Sequence, residues 1–135
     1  MDIQVTRDVM AAMAQAAAQL APEEACGILL GEGNSITAFT IAKNVHPAPQ
    51  THFEIDPQAL IDAHRSARKE GAQVLGYFHS HPSGDASPSQ TDSDMAAGDG
   101  SIWAIHGAAS VGNEITFWRS TAAGFVPLSY RLDGA

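Results

Sequence analysis

A single α/β layered domain is what this sequence predicts, on three observations. Short apolar runs of strand length alternate with two longer stretches whose apolar residues recur at helical spacing. The strand-like runs of the last third follow one another with no helix pattern between them, as antiparallel strands do. At 135 residues the chain can bury one real core and is too short for two domains of ordinary size, so residues 1–135 are expected to form one unit. No internal repeat or low-complexity linker interrupts it.

Thr6 can cap a helix running to about Leu20, with Val9, Met10, Met13, Ala17 and Leu20 as one apolar stripe facing a core. Gly27 to Leu30 and Ser35 to Ala42 read as two strands around a turn at Gly31-Glu32-Gly33-Asn34. Pro57 to Glu70 reads as a helix closed by Gly71. Gln73 to Phe78 is a buried strand leading into His79. Ser83-Gly84-Asp85-Ala86-Ser87-Pro88 is a turn-rich loop in which the chain must reverse. Ser89-Gln90-Thr91-Asp92 has the form of a helix start, continued briefly through Met95, Ala96 and Ala97. Further strands are expected at Ile102 to His106, Glu114 to Arg119 and Phe125 to Leu132. Trp103, Trp118 and Phe125 fall within these strand patterns and are assigned to the core.

The chemistry is concentrated at His79-Ser80-His81-Pro82 and the Ser89 to Asp92 segment. Side chains at i and i+2 of a strand share a face, so His79 and His81 can present two imidazoles to one point. A short helix beside that strand can bring the Asp92 carboxylate to both. Two histidines and a carboxylate are a ligand set from which zinc can be built into a catalytic site, its fourth position left to water. Asp85, Asp94 and Asp99 are rival acids. Asp94 lies two helical positions past Asp92 and points elsewhere, whereas Asp85 in the loop is the substitute ligand to consider. Read without further context, Ser89 and Asp92 are fully explained as a capping pair, and Glu24 as a solvated residue at a strand start.

His79-x-His81-Pro82, six residues, then Ser89-x-x-Asp92 resembles the signature of the JAMM (JAB/MPN metalloenzyme) proteases. Pro22-Glu23-Glu24-Ala25-Cys26-Gly27-Ile28-Leu29-Leu30-Gly31 is similar to the family's upstream segment, with its glutamate falling on Glu24. The resemblance covers nearly the whole chain, including the Phe53-Glu54-Ile55-Asp56-Pro57 stretch, and is of the stand-alone prokaryotic type. It implies a cupped mixed sheet flanked by helices, with zinc held by His79, His81 and Asp92. It further implies Glu24 as the general acid/base acting on the zinc-activated water, and Ser89 as the donor that stabilises the tetrahedral intermediate. These roles suit the side chains: a carboxylate can take a proton and return it, and a hydroxyl can donate to an oxyanion.

A formal charge of −8, from seven Lys or Arg against fifteen Asp or Glu, argues against nucleic acid or an anionic membrane as partner. One cysteine excludes an internal disulfide, and Cys26 in its apolar strand reads as a small buried residue. The N-terminus has neither a basic region nor an unbroken apolar run of signal-peptide type, so a cytoplasmic location is expected. His46, His52, His64 and His106 lie outside the motif and take ordinary surface or core roles, His52 being the one beside the Phe53 segment.

The family divides between removal of ubiquitin-like modifiers and trimming of bacterial sulfur carriers. The near-minimal domain and the Pro88-Ser89-x-x-Asp92 form favour a zinc peptidase that cuts after the Gly-Gly tail of a small β-grasp sulfur carrier. That tail is expected to add as a strand to an exposed sheet edge. Isopeptidase action on a lysine-linked modifier is the first alternative. A non-catalytic scaffold is the second, disfavoured because all five key residues are present. A serine hydrolase using Ser80 or Ser83 lacks a Gly-x-Ser-x-Gly elbow.

Overall fold

One eight-stranded mixed sheet organises the chain in the computed structural model, which describes residues 2–108 and 114–134. The elements are β1 (Ile3–Thr6), α1 (Arg7–Leu20), β2 (Cys26–Glu32), β3 (Ser35–Ala42), α2 (Pro57–Glu70), β4 (Gln73–His81), α3 (Gln90–Met95), β5 (Ile102–Gly107), β6 (Ile115–Thr121), β7 (Gly124–Leu128) and β8 (Tyr130–Asp133). Strand order is β7-β6-β5-β4-β2-β3-β1-β8, with β4·β5, β1·β3 and β1·β8 parallel and the other pairs antiparallel.

The local signals act as their chemistry requires. The Thr6 side chain accepts from Val9 N at 3.2 Å and starts α1. Asp56 caps α2 ahead of Pro57, and Gly71 closes it at φ 88°, a left-handed conformation that costs glycine little. In α1 the stripe buries Val9, Met13 and Ala17, but Leu20, the last residue of the helix, is 38% exposed.

Two apolar clusters occupy the two faces of the sheet. On one, Val9, Met13 and Ala17 of α1 meet Ile3, Val5, Leu29, Phe78 and Phe117. On the other, Cys26, Ile28, Phe53, Ile55 and Trp103 are covered by Leu60 and Ala63 of α2. Tyr77 belongs to the second cluster and Phe78 to the first, and strand alternation then turns His79 to the second.

Two expectations about the strands need correction. β1 was not anticipated: Ile3 and Val5 alternate, but the run is four residues long and passes directly into the Thr6 cap. The single strand expected from Phe125 to Leu132 is two, β7 and β8, at opposite edges of the sheet. Only Ser129 separates them, so the edges must approach and the sheet must curl. The Phe117 and Tyr130 rings, from β6 and β8, accordingly lie 4.9 Å apart. Ser129 O accepts from Asp2 N and Ile3 N, fastening the crossing. The free edges are therefore remote in strand order from β4.

Candidate metal centre

β4 ends at His81, and its last turn of chain is set against the Ser83–Pro88 loop and α3. Ser89 and Asp92 form a reciprocal capping box: Ser89 Oγ accepts from Asp92 N at 3.1 Å, and Asp92 Oδ2 accepts from Ser89 N at 2.9 Å. The box fixes the carboxylate, which turns inward rather than to solvent. His79 Nε2 lies 3.0 Å from Asp92 Oδ1, His81 Nε2 lies 3.1 Å from Asp92 Oδ2, and the two Nε2 atoms are 3.1 Å apart. His79 and Asp92 are buried and His81 is partly so.

Chemistry decides whether these atoms suit a cation. His81 Nδ1 is 2.7 Å from the Asp85 carbonyl oxygen. A carbonyl only accepts, so Nδ1 carries the proton and a neutral His81 turns a bare lone pair toward Asp92, itself an acceptor. That contact is repulsive unless a cation sits there, either a second proton or a metal. Burial opposes charge on His81, yet its hydrogen bonds to Asp92 and Asp85 prevail and its pKa is raised. Burial also opposes ionisation of Asp92, but bonds from His79 and His81 hold its pKa well below the usual carboxylate range. A tetrahedral zinc with bonds of about 2.0–2.1 Å has ligand atoms about 3.3 Å apart. The Nε2–Nε2 distance is close to that figure, the two histidines reach different oxygens of Asp92, and among the described residues these three form a group able to hold a metal ion, their ligand atoms within 4.8 Å of one another.

Aromatic rings hold His79 from behind. Phe53 stacks on it with centroids 4.3 Å apart and planes 14° from parallel, and the Trp103 ring meets it edge-on at 5.6 Å. Among the described residues His79 Nδ1 is buried without a partner, so the polar contacts this ring makes with them lie at the cluster. Burial pushes its pKa down and keeps the imidazole neutral, the form that binds metals. Gly107, at the end of β5, packs on the backbone of Asp85 and Ala86 where any Cβ would collide. That close approach holds the loop whose carbonyl orients His81.

Glu24 arrives by strand register. Antiparallel pairing of β2 with β4 places Cys26 opposite His79, and continuing it by two residues sets Glu24 opposite His81. Ser80 Oγ accepts from Ala25 N at 2.8 Å and locks this end of the pair. Glu24 is 6% exposed, so it is not the solvated residue that its position alone suggested. With Ser89, His81 and Thr51 it lines a cleft of about 330 Å³. Burial, reinforced by the Asp92 charge and moderated by His81, pushes its pKa up to about 7. An acid raised on folding stabilises below its unfolded pKa of 4.5 and loses that contribution as pH rises through about 7. In chelator-treated protein, Glu24→Gln should therefore gain thermal stability relative to the parent as pH goes from 5 to 8. Parallel melting curves for the two proteins across that range would contradict it.

The other candidates lie elsewhere. The Asp85 carboxylate accepts from Ser87 N, so Asp85 serves His81 through its backbone and not as a substitute ligand. Asp94 pairs with Gln90 and Asp99 with Ser101 N. Ser80 is 1% exposed with its oxygen engaged, which leaves it no access to a substrate. Cys26 is buried and free, its thiol pushed up to about 12 by burial and then by the Glu24 charge. His46 and His52 stack on each other at 4.6 Å, His106 is buried and His64 is exposed. Trp103 is core, as expected, but its contact with His79 was not foreseen. Phe53 lies in the segment that the resemblance places near the groove, but its stacking on His79 carries no periodic signal in the sequence.

Fold and site together define a class: a small mixed-sheet domain with a two-histidine, one-carboxylate cluster compatible with a metal ion. The chain belongs to the prokaryotic homologs of the JAB domain, whose family model matches residues 6–121. It is 33% identical over 86 residues to a desampylase of Haloferax volcanii, covering 62% of each chain. It is 39% identical over 72 residues to a probable TtuB-protein conjugate cleaving protease of Thermus thermophilus, covering 53% of this chain and 48% of that one. The matches thus span about half to three-fifths of these curated relatives. A solution structure of a protein from Desulfitobacterium hafniense superposes with a TM-score of 0.85 at 29% identity, over 98% of this chain and 94% of that one. No helix among the described residues is long and apolar enough to cross a membrane.

Proposed function

We propose that the chain is a zinc metallopeptidase that hydrolyses the bond following the C-terminal Gly-Gly of a small ubiquitin-like, β-grasp sulfur-carrier protein. The observation that carries this reading is the meeting of His79, His81 and Asp92 at one point, beside a cleft that Glu24 and Ser89 share. His79, His81 and Asp92 would hold the zinc. Bound there, zinc supplies Lewis acidity and brings the pKa of a water to about 7, so that a nucleophile exists at neutral pH.

This chain's residues do the rest. The Glu24 carboxylate, with a pKa of about 7, accepts the nucleophile's proton and returns it to the departing amine, the match of pKa to working pH that such a role needs. Ser89 Oγ is committed as an acceptor to Asp92 N, which leaves its own proton to donate to the oxyanion. The Asp85 carbonyl holds His81 in the tautomer that presents Nε2, and Phe53 with Trp103 keeps water from the far side of His79. A single buried, unpaired cysteine accords with a cytoplasmic place of action.

A second reading has one specific support: the Thermus relative is named for cleaving protein conjugates. Action on a carrier joined to lysine uses the same residues and differs only in the leaving amine. The test is one incubation series with β-grasp carriers ending in Gly-Gly, either extended by further residues or linked to a lysine of a second protein. Release of the carrier from the extended form is expected. Strict preference for the lysine-linked form would select the second reading, and release from neither would sink both.

A further inference from the structure

Glu24 presents a difficulty that its neighbours resolve. Among the described residues no hydrogen bond involves its carboxylate, so its place in the cleft is set through the backbone. The main chain there is held by a loop as well as by the sheet: Glu24 N donates to Pro49 O at 2.7 Å, beside the Ser80 N to Ala25 O bond that continues the β2–β4 pairing.

We propose that Asn44 is the positioning residue for Glu24, joining it to the Phe53 segment that backs His79; the inference rests on the acid/base reading of Glu24. Asn44 lies just past β3 and pairs with Ile55 in an isolated bridge. Its Nδ2 donates to Glu24 O and His52 O, each at 3.0 Å. Its Oδ1 accepts from His46 N at 3.1 Å and Glu54 N at 3.0 Å. Donor and acceptor are thus spent on main-chain groups of Glu24, of the His52–Glu54 stretch and of the nearby His46. One amide thereby sets the Glu24 carbonyl and brackets Phe53 between the two residues it binds. The placing of the Glu24 carboxylate thus depends on a side chain that does not touch it.

Asn44→Asp is the sharpest probe, since it keeps the shape and the acceptor but loses the donor to Glu24 O. Turnover, KM, zinc stoichiometry and melting temperature would be measured for the parent, Asn44→Asp, Glu24→Gln and the double variant, on whichever Gly-Gly-linked carrier the parent cleaves. The expected result is a kcat lowered by about 10- to 100-fold with KM within about twofold and zinc retained. In the double variant the loss should not exceed that of Glu24→Gln alone, because residues acting through one group are not additive. Unchanged kcat would overturn the proposal, and so would loss of zinc or a further loss on the Glu24→Gln background. If the aspartate variant fails to fold, Asn44→Ser, which leaves a hydroxyl short of both carbonyls, takes its place with the same outcomes. Full turnover in Glu24→Gln would instead overturn the acid/base reading itself, so the two failures are distinguishable.

Discussion

Glu24→Gln is expected to retain zinc at the parent's stoichiometry and to lose kcat by about a hundred- to ten-thousandfold, the usual worth of a positioned acid or base. Glutamine fills the same volume and is neutral, which suits a site where burial already raises the acid's pKa to about 7. The backbone contacts of Glu24 to Pro49 and Asn44, and of Ala25 to Ser80, do not involve the side chain and should survive. What is lost is the capacity to accept a proton and give it back. Steady-state kinetics with elemental analysis on the same preparation checks this, and zinc loss equal to that of a ligand variant would show the assigned role to be wrong.

Asp92→Asn should act on the metal first. The carboxylate faces both Nε2 atoms and also closes the capping box on α3, so the variant removes the cluster's only anionic member while nearly preserving shape. Zinc affinity should fall by more than about 100-fold, beyond the 10- to 100-fold typical of residues that only orient a ligand, and turnover should fall with it. His79→Ala/His81→Ala should be zinc-free altogether. Retention of near-stoichiometric zinc by that double variant would mean that the metal, if bound, is held elsewhere.

The legible parts of this site are those with a local period. His79 and His81 share a face because strands alternate, and Ser89 with Asp92 reads as a capping pair because helix ends need acceptors for their free N–H groups. Both features lie within fourteen residues of sequence, from His79 to Asp92. Glu24 has no such signal. By itself it is one acid among fifteen acidic residues, and only the resemblance to the JAMM proteases singled it out. Asn44 and Phe53 sit in irregular chain, where a residue's role follows from what other segments bring to it. The strand expected from Phe125 to Leu132 failed for a related reason: local pattern marks extended chain, but says nothing of which partner each part takes.

The sequence by itself determined the class of fold, the helix caps, the strand that carries both histidines and the helix start that carries the aspartate. These follow from interactions a few residues apart, which side-chain identity encodes directly. Tertiary structure alone decided the curl that joins the sheet's edges, the arrival of Glu24 opposite His81, the rings packed on His79 and the amide that ties these segments together. Those outcomes depend on strand register and on packing between distant segments, where one residue of slip would turn Glu24 to the other face of the sheet.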